Sequence, residues 1–125
     1  MQSTQQNGKI FDIRERSFQF GVAIIQLVSR LPKTTAGFAI GNQIIRSGTS
    51  IGANIEEAQN AGTKKEFIHI ITISLKEARE TEYWLRLIFE TELVEQKTIL
   101  PILGEVKEII KILITIVKRS KQNNI

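Results

Sequence analysis

The chain has no cysteine, and its 125 residues include only one histidine and two prolines. Without cysteine, neither a disulfide framework nor a thiolate metal site is possible, which suits a reducing cytoplasm. A di-metal site in a helical bundle needs Glu-x-x-His motifs on two helices, and a single histidine, His69, cannot supply them. No GxxxxGK loop is present to bind phosphate. We therefore expect no cofactor, no metal and no enzymatic activity.

Long apolar runs are also missing. The best candidate, residues 109–117, is interrupted by Lys111, whereas a membrane-spanning helix needs about 18 or more apolar residues. Residues 1–9 are polar and lack the apolar stretch of a signal peptide. We expect a cytoplasmic protein that does not enter a membrane.

The net charge is modest, at +4 from 17 basic and 13 acidic residues. Divided at Gly62, the two parts carry six basic against four acidic residues and eleven against nine, so each is +2. The one concentrated spot is Lys118, Arg119 and Lys121. It either complements the dipole at the end of the last helix or forms a tip that contacts phosphate. In an oligomer the small charge of each copy would add up to a substantial field.

Apolar residues recur at helical spacing in four segments. The first helix is predicted over residues 12–29 with Asp12 as N-cap, and the second from a cap at Thr34 or Thr35 to about residue 60, closed at Gly62. The third begins with a capping box, Thr63 to Glu66. Core-facing stripes are predicted as follows: Ile13, Phe18, Gly21, Val22, Ile25 and Val28; Ile40, Ile44, Gly48, Ile51, Ile55 and Ala58; Phe67, Ile71, Leu75, Ala78, Leu85 and Phe89.

The fourth segment has a heptad-like seam with a proline near its start. Either the helix begins near Pro101 with Thr98 as cap, or a first turn precedes Pro101 and is kinked there. The seam residues are Ile99, Leu103, Val106, Ile110, Leu113 and Val117. The four segments predict an all-α protein, an antiparallel up-down-up-down four-helix bundle over residues 12–121, between tails at 1–11 and 122–125.

Glycines recur in the second helix at Gly37, Gly41, Gly48 and Gly52. Each costs about 1 kcal/mol relative to alanine inside a helix. They either allow another backbone to approach closely or make room for Phe side chains inside the bundle.

The sequence also has more apolar residues than four helices bury among themselves. A second stripe on helix one contains Phe20 and Ile24, and helices three and four carry further apolar residues outside their seams. Since a monomer rarely exposes a large apolar patch, self-association is expected. The predicted oligomer interface comprises Gly48, Gly52, Ile70, Ile73, Trp84, Ile112 and Ile114.

Polar residues flank the core stripes of helices two and three. Ser47, Asn54, Ser74 and Glu77 are predicted to form a structural polar network, with Arg46 nearby, because half-buried polar groups must find partners. On helix three, Arg79, Tyr83, Arg86 and Glu90 fall on one face. They form either a ladder of ion pairs or a basic-aromatic surface for nucleic acid.

Three stretches resemble a known family. They are RSGTSIGANIEEA (residues 46–58), KKEF (64–67) and SLKEARETEYWLRL (74–87). Together they are similar to the four-helix-bundle proteins encoded in intervening sequences of bacterial 23S rRNA genes, often labelled ribosomal proteins. Accessory variability proteins of diversity-generating retroelements are relatives of that family.

The resemblance implies a cyclic homopentamer with a basic surface that engages RNA or DNA. Together with the basic balance of the chain, it leads us to expect a protein that associates with nucleic acid, RNA more than DNA, without base specificity. The alternative function is a protein-interaction adaptor, for example one that docks a reverse transcriptase. Basic residues at the matching positions, together with the C-terminal cluster, are the predicted nucleic-acid-binding residues: Arg46, Lys64, Lys65, Arg79, Arg86, Lys118 and Arg119.

Overall fold

The computed structural model describes residues 8–122, with side chains from residue 13 onwards. Within this range the chain forms four helices and no strand: α1 Gly8–Val28, α2 Thr35–Ala58, α3 Lys64–Thr91 and α4 Gln96–Gln122. Each helix packs on the next, and a smaller contact between α1 and α4 closes the bundle. Since the connections have only four to six residues, consecutive helices run antiparallel. The predicted all-α four-helix bundle is confirmed.

The first helix begins earlier than predicted. Asp12 lies inside α1 and is not its N-cap, and residues 8–11 of the predicted tail are helical. Gln122, predicted to belong to the C-terminal tail, is the last residue of α4, and the remaining tail residues, 1–7 and 123–125, lie outside the described residues.

The core face of α1 is also different from the predicted one. Phe20 and Ile24, which were assigned to the second stripe of helix one, are buried, whereas Phe18 and Ile25 from the predicted core stripe are 63% and 53% exposed. Both faces of this helix are apolar, so the 3.6-residue period alone does not say which one meets α2 and α4. The face with Ile13, Phe20, Ile24 and Leu27 forms the core, and the other is left outside.

The helix starts at α2 and α3 follow local side-chain chemistry. Thr34 Oγ1 accepts a hydrogen bond from Gly37 N at 3.1 Å, and Thr63 Oγ1 accepts one from Glu66 N at 3.0 Å. The Glu66 carboxylate reaches back to the N–H of Gly62, one residue before the expected Thr63. Both predicted N-caps are therefore confirmed, with Thr34 as the choice for α2.

The helix ends differ from the prediction. Gln59 closes α2 in a right-handed conformation, and Gly62 has no positive φ, so the predicted glycine closure is wrong. The left-handed cap occurs instead at Glu92, which ends α3 with φ 53°.

The fourth helix begins before the proline. It starts at Gln96, so Thr98 is inside the helix and is not its cap, and Pro101 is the sixth helical residue. Pro101 is exposed. A proline has no N–H, so it cannot donate the intrahelical hydrogen bond to the carbonyl of Lys97.

Two glycines of α2 serve packing within the chain, one by close approach of a backbone, as expected, and one by making room for an isoleucine and not for a Phe. A Cβ at Gly48 would lie 2.9 Å from Ile24 Cγ1, so this glycine makes room for a core side chain. A Cβ at Gly52 would lie 3.2 Å from the carbonyl oxygen of Ser17, so this glycine allows the backbones of α1 and α2 to approach.

Candidate nucleic-acid interface

One end of the bundle gathers basic residues from two helices. Because α3 and α4 are antiparallel, the first residues of α3 and the last turns of α4 lie at the same end. This basic end comprises Lys64, Lys65, Lys118, Arg119 and Lys121, all exposed. Among the described residues none of the five forms an ion pair, so their charges are available to an external anion.

A second basic feature extends along α3 from this end. Exposed residues follow one another at spacings of three and four, which places them on one face of the helix. This α3 basic stripe consists of Lys65, His69, Thr72, Lys76, Arg79, Tyr83 and Arg86. From Lys65 to Arg86 it is about 32 Å long at 1.5 Å per residue. None of its members is acidic, and the next exposed residue on the same face after Arg86 is Glu90.

The face of α3 with Arg79, Tyr83, Arg86 and Glu90 had two interpretations, a ladder of ion pairs or a basic-aromatic surface. Within residues 13–122, neither Arg79 nor Arg86 forms an ion pair, so the expected ladder is absent there. Lys76 was not among the predicted residues, although it lies three residues before Arg79 and so shares its face. His69 is exposed.

Two acidic residues of α3, Glu77 and Glu80, are compensated from α2. The Arg46 guanidinium donates to Glu77 at 3.1 Å and also to Glu80. The hydrogen bond from Arg46 is the main reason that the pKa of Glu80 is lowered. Arg46 was predicted to contact nucleic acid, but its charge is already occupied by two carboxylates. Its position favours a different effect, which is to reduce the negative charge beside the stripe.

Buried hydroxyl groups connect α2 and α3. Thr81 Oγ1 lies 2.8 Å from Ser47 Oγ, to which it donates, and Ser74 Oγ donates to the carbonyl of Ile51 at 2.8 Å. Thr81 had no part in the predicted network. The sequence feature that could have identified it is a threonine at a core position of α3. The Asn54 amide donates to Ser50 within α2 and not across the helices. The bonds of Thr81 and Ser74 connect the two helices. They fix the register of α3 on α2, and hence the direction in which its basic face points.

The residues predicted for the oligomer interface are largely used within the chain. Gly48 and Ile112 are buried. Ile73 is partly buried, and partly buried Ile70, Trp84 and Ile114 pack against the core. These residues are therefore less available than expected, because the four helices bury them together.

An exposed apolar surface lies instead between α1 and α2. This α1–α2 groove has a volume of about 810 Å³, and its apolar lining includes Phe18, Val22, Ile25 and Ala53. Gly21 is also in the lining, and a Cβ there would meet no atom within 4 Å. At one end the groove is closed by Arg14 and Glu56, whose side chains form a bidentate ion pair.

The sequence of residues 9–115 matches a family described as the 23S rRNA-intervening sequence protein. The chain belongs to this family. A crystal structure of a protein of unknown function from the S23 ribosomal protein family of Bacteroides thetaiotaomicron is 43% identical to this chain, with a TM-score of 0.80. The similarity covers 85% of this chain and 98% of the other. A comparison with curated proteins finds no match.

The family match includes most of the basic surface but not all of it. The α3 basic stripe lies inside residues 9–115, whereas Lys118, Arg119 and Lys121 lie beyond them. The stretches that carry the family resemblance lie on α2 and α3, which pack on each other. They contain both sides of the Arg46 ion pairs and of the Ser74 bond.

Neither a metal site nor a membrane-spanning helix is found in the described part of the chain. No group of three or more metal-binding side chains comes together within residues 13–122. None of the four described helices is long and apolar enough to cross a membrane.

Proposed function

We propose that this protein is a homo-oligomeric RNA-associated protein that binds phosphates through the α3 basic stripe and the basic end, without base specificity. The observation that carries the proposal is the separation of charge on α3. Its outward face carries Lys65, Lys76, Arg79 and Arg86, while Glu77 and Glu80 turn towards Arg46. A chain with a net charge of only +4 thereby presents a surface that is locally much more positive.

Ribosomal RNA in the family's description favours RNA over DNA. The family is described by 23S rRNA intervening sequences, and the Bacteroides relative by the S23 ribosomal protein family. Binding by clustered lysine and arginine releases counterions, so affinity falls steeply with salt and depends little on base sequence.

The test is a binding titration with a structured RNA as a function of salt. The variant Lys76→Gln/Arg79→Gln/Arg86→Gln removes three charges from the stripe. If each contacts a phosphate, the slope of log K against log[salt] should decrease in magnitude by about 2 to 3. A duplex DNA of the same length completes the comparison, and tighter binding to DNA would contradict the preference for RNA.

A matched control removes the same charge elsewhere. Arg30, Lys33 and Lys97 are exposed at the opposite end of the bundle, and the triple replacement by glutamine gives the same net charge as the stripe variant. The control should bind RNA nearly as the unchanged protein does. Equal losses in the two variants would mean that only net charge matters, and no retention of RNA at about 50 mM salt would refute the proposal.

We further propose that the α1–α2 groove is where copies associate. Phe18 and Ile25 project from it, and Gly21 leaves an open space between them along the same helix. A helical glycine costs about 1 kcal/mol relative to alanine, and at Gly21 no contact among the described residues accounts for it. Close approach by a second copy would give both the projecting side chains and the open space a partner.

Light scattering tests the association. The family resemblance implies five copies of the 14.2 kDa chain, so we expect that multiple, and a smaller mass for Ile25→Lys. Leu100→Lys is the control, because Leu100 is equally exposed, at 54%, but lies on α4 outside the groove. A single-chain mass at high concentration would refute oligomerisation.

The second candidate function is a protein-interaction adaptor, and the groove is the observation that favours it. Its walls are mainly apolar, and Arg14 and Glu56 neutralise each other, so it suits a helix of another protein as well as a second copy. A partner that stays bound after nuclease treatment and is lost in Ile25→Lys would support this function. A partner released by nuclease would support RNA binding.

A further inference from the structure

The α3 basic stripe contains one aromatic side chain in addition to its charges and His69. Tyr83 is 53% exposed, although large apolar side chains on α3 are otherwise at least partly buried. It follows Arg79 by four residues and precedes Arg86 by three, so the two arginines are its neighbours on the helix surface. Phosphate binding alone requires no aromatic residue at this position.

The Tyr83 ring is held on one side by neighbouring groups. Its centroid is 5.1 Å from that of Trp84, with the planes inclined at 69°. Trp84 Nε1 in turn donates to Glu80 at 3.2 Å, and Glu80 is paired with Arg46. A ring that is already oriented loses little conformational freedom when a ligand stacks on it. More than half of the side chain remains open to solvent.

The charged neighbours of Tyr83 are suited to the same ligand. Arg79 and Arg86 are exposed, and within the described residues neither has an ion-pair partner. Proteins that bind single strands without base specificity combine such cations, which follow the backbone, with aromatic rings on which bases stack. A duplex hides the faces of its internal bases, so an exposed tyrosine between arginines favours an unpaired strand.

We propose that Tyr83 is a stacking site for an unpaired base of single-stranded RNA, with Arg79 and Arg86 binding the phosphates on either side. The proposal rests on the proposed RNA association and adds the class of RNA and a base-contacting residue. Any base can stack, so the site remains without base specificity.

The test compares an RNA strand of about 12 nucleotides with a strand of the same length and charge in which every base is absent. The unchanged protein should bind the complete strand about fivefold to a hundredfold more tightly than the abasic one, because stacking contributes only to the first. Tyr83→Ala should bind the two strands equally, because the substitution weakens binding of the complete strand and leaves binding of the abasic strand unchanged. Tyr83→Phe keeps the aromatic ring and should restore the difference in affinity between the two strands.

The outcomes separate this inference from the function on which it rests. If the unchanged protein binds neither strand, the single-strand site is refuted, and the titration with structured RNA decides separately whether RNA association stands. If it binds both strands equally, or if Tyr83→Ala binds the complete strand as tightly as the unchanged protein, RNA association stands and stacking is refuted. A change in oligomer mass for Tyr83→Ala, with both RNA affinities unchanged, would assign Tyr83 to a contact between copies and also refute the proposal.

Discussion

A methyl group added at Gly48 should destabilise the bundle, although alanine favours a helix. The added Cβ would lie 2.9 and 3.0 Å from Cγ1 and Cγ2 of Ile24, which is fully buried. Overpacking of this kind costs about 1–3 kcal/mol, while replacing a helical glycine by alanine gains about 1 kcal/mol. The net effect of Gly48→Ala should therefore be a loss of about 0–2 kcal/mol.

Gly104→Ala is the matched control for the gain in helix propensity. Gly104 also lies inside a helix, but a Cβ there would meet no atom within 4 Å. This variant should gain about 1 kcal/mol. The free energy of unfolding is measured by urea denaturation with circular dichroism, at one protein concentration, because self-association would change apparent stability.

A double-mutant cycle with Ile24 identifies the clash itself. Ile24→Ala removes the two nearest atoms and should cost about 2–5 kcal/mol. In that background, the methyl group at position 48 fills part of the cavity, so Gly48→Ala should become stabilising. If Gly48→Ala stabilises the unchanged background as much as Gly104→Ala does, the reasoning about close packing is wrong.

Three further variants test local features. Glu92→Gly should stabilise by about 1 kcal/mol, because glycine adopts the positive φ of this α3 cap without a Cβ penalty; an unchanged urea midpoint would contradict this. Ser74→Ala should cost about 1 kcal/mol by removing its buried bond to Ile51, measured in the same way. Arg46→Met should lower stability at neutral pH but not in acid. Arg46 lowers the pKa of Glu80 below its ordinary value of 4.5, and a carboxylate with a lowered pKa stabilises the fold only while it is ionised. The difference between Arg46→Met and the unchanged protein should therefore vanish as pH falls through that lowered pKa, and a difference independent of pH would contradict the argument.

The candidate site was predicted in composition more than in arrangement. Lys64, Lys65, Arg79 and Arg86 were identified as basic residues of interest, and all are exposed. Arg46 was grouped with them and also placed near the predicted polar network, and the structure pairs it with Glu77 of that network and with Glu80. The groove beside Phe18 was missed because that face of α1 was assigned to the core.

The sequence by itself determined the four helices and two of their starts. These features depend on neighbours within a turn, such as Thr63 with Glu66, and apolar periodicity within one segment. Tertiary structure decided which of two apolar faces of α1 is buried, and which charges are compensated. Those outcomes depend on how each helix is rotated against the others. Several core residues must pack together to set that rotation, and no single segment encodes it.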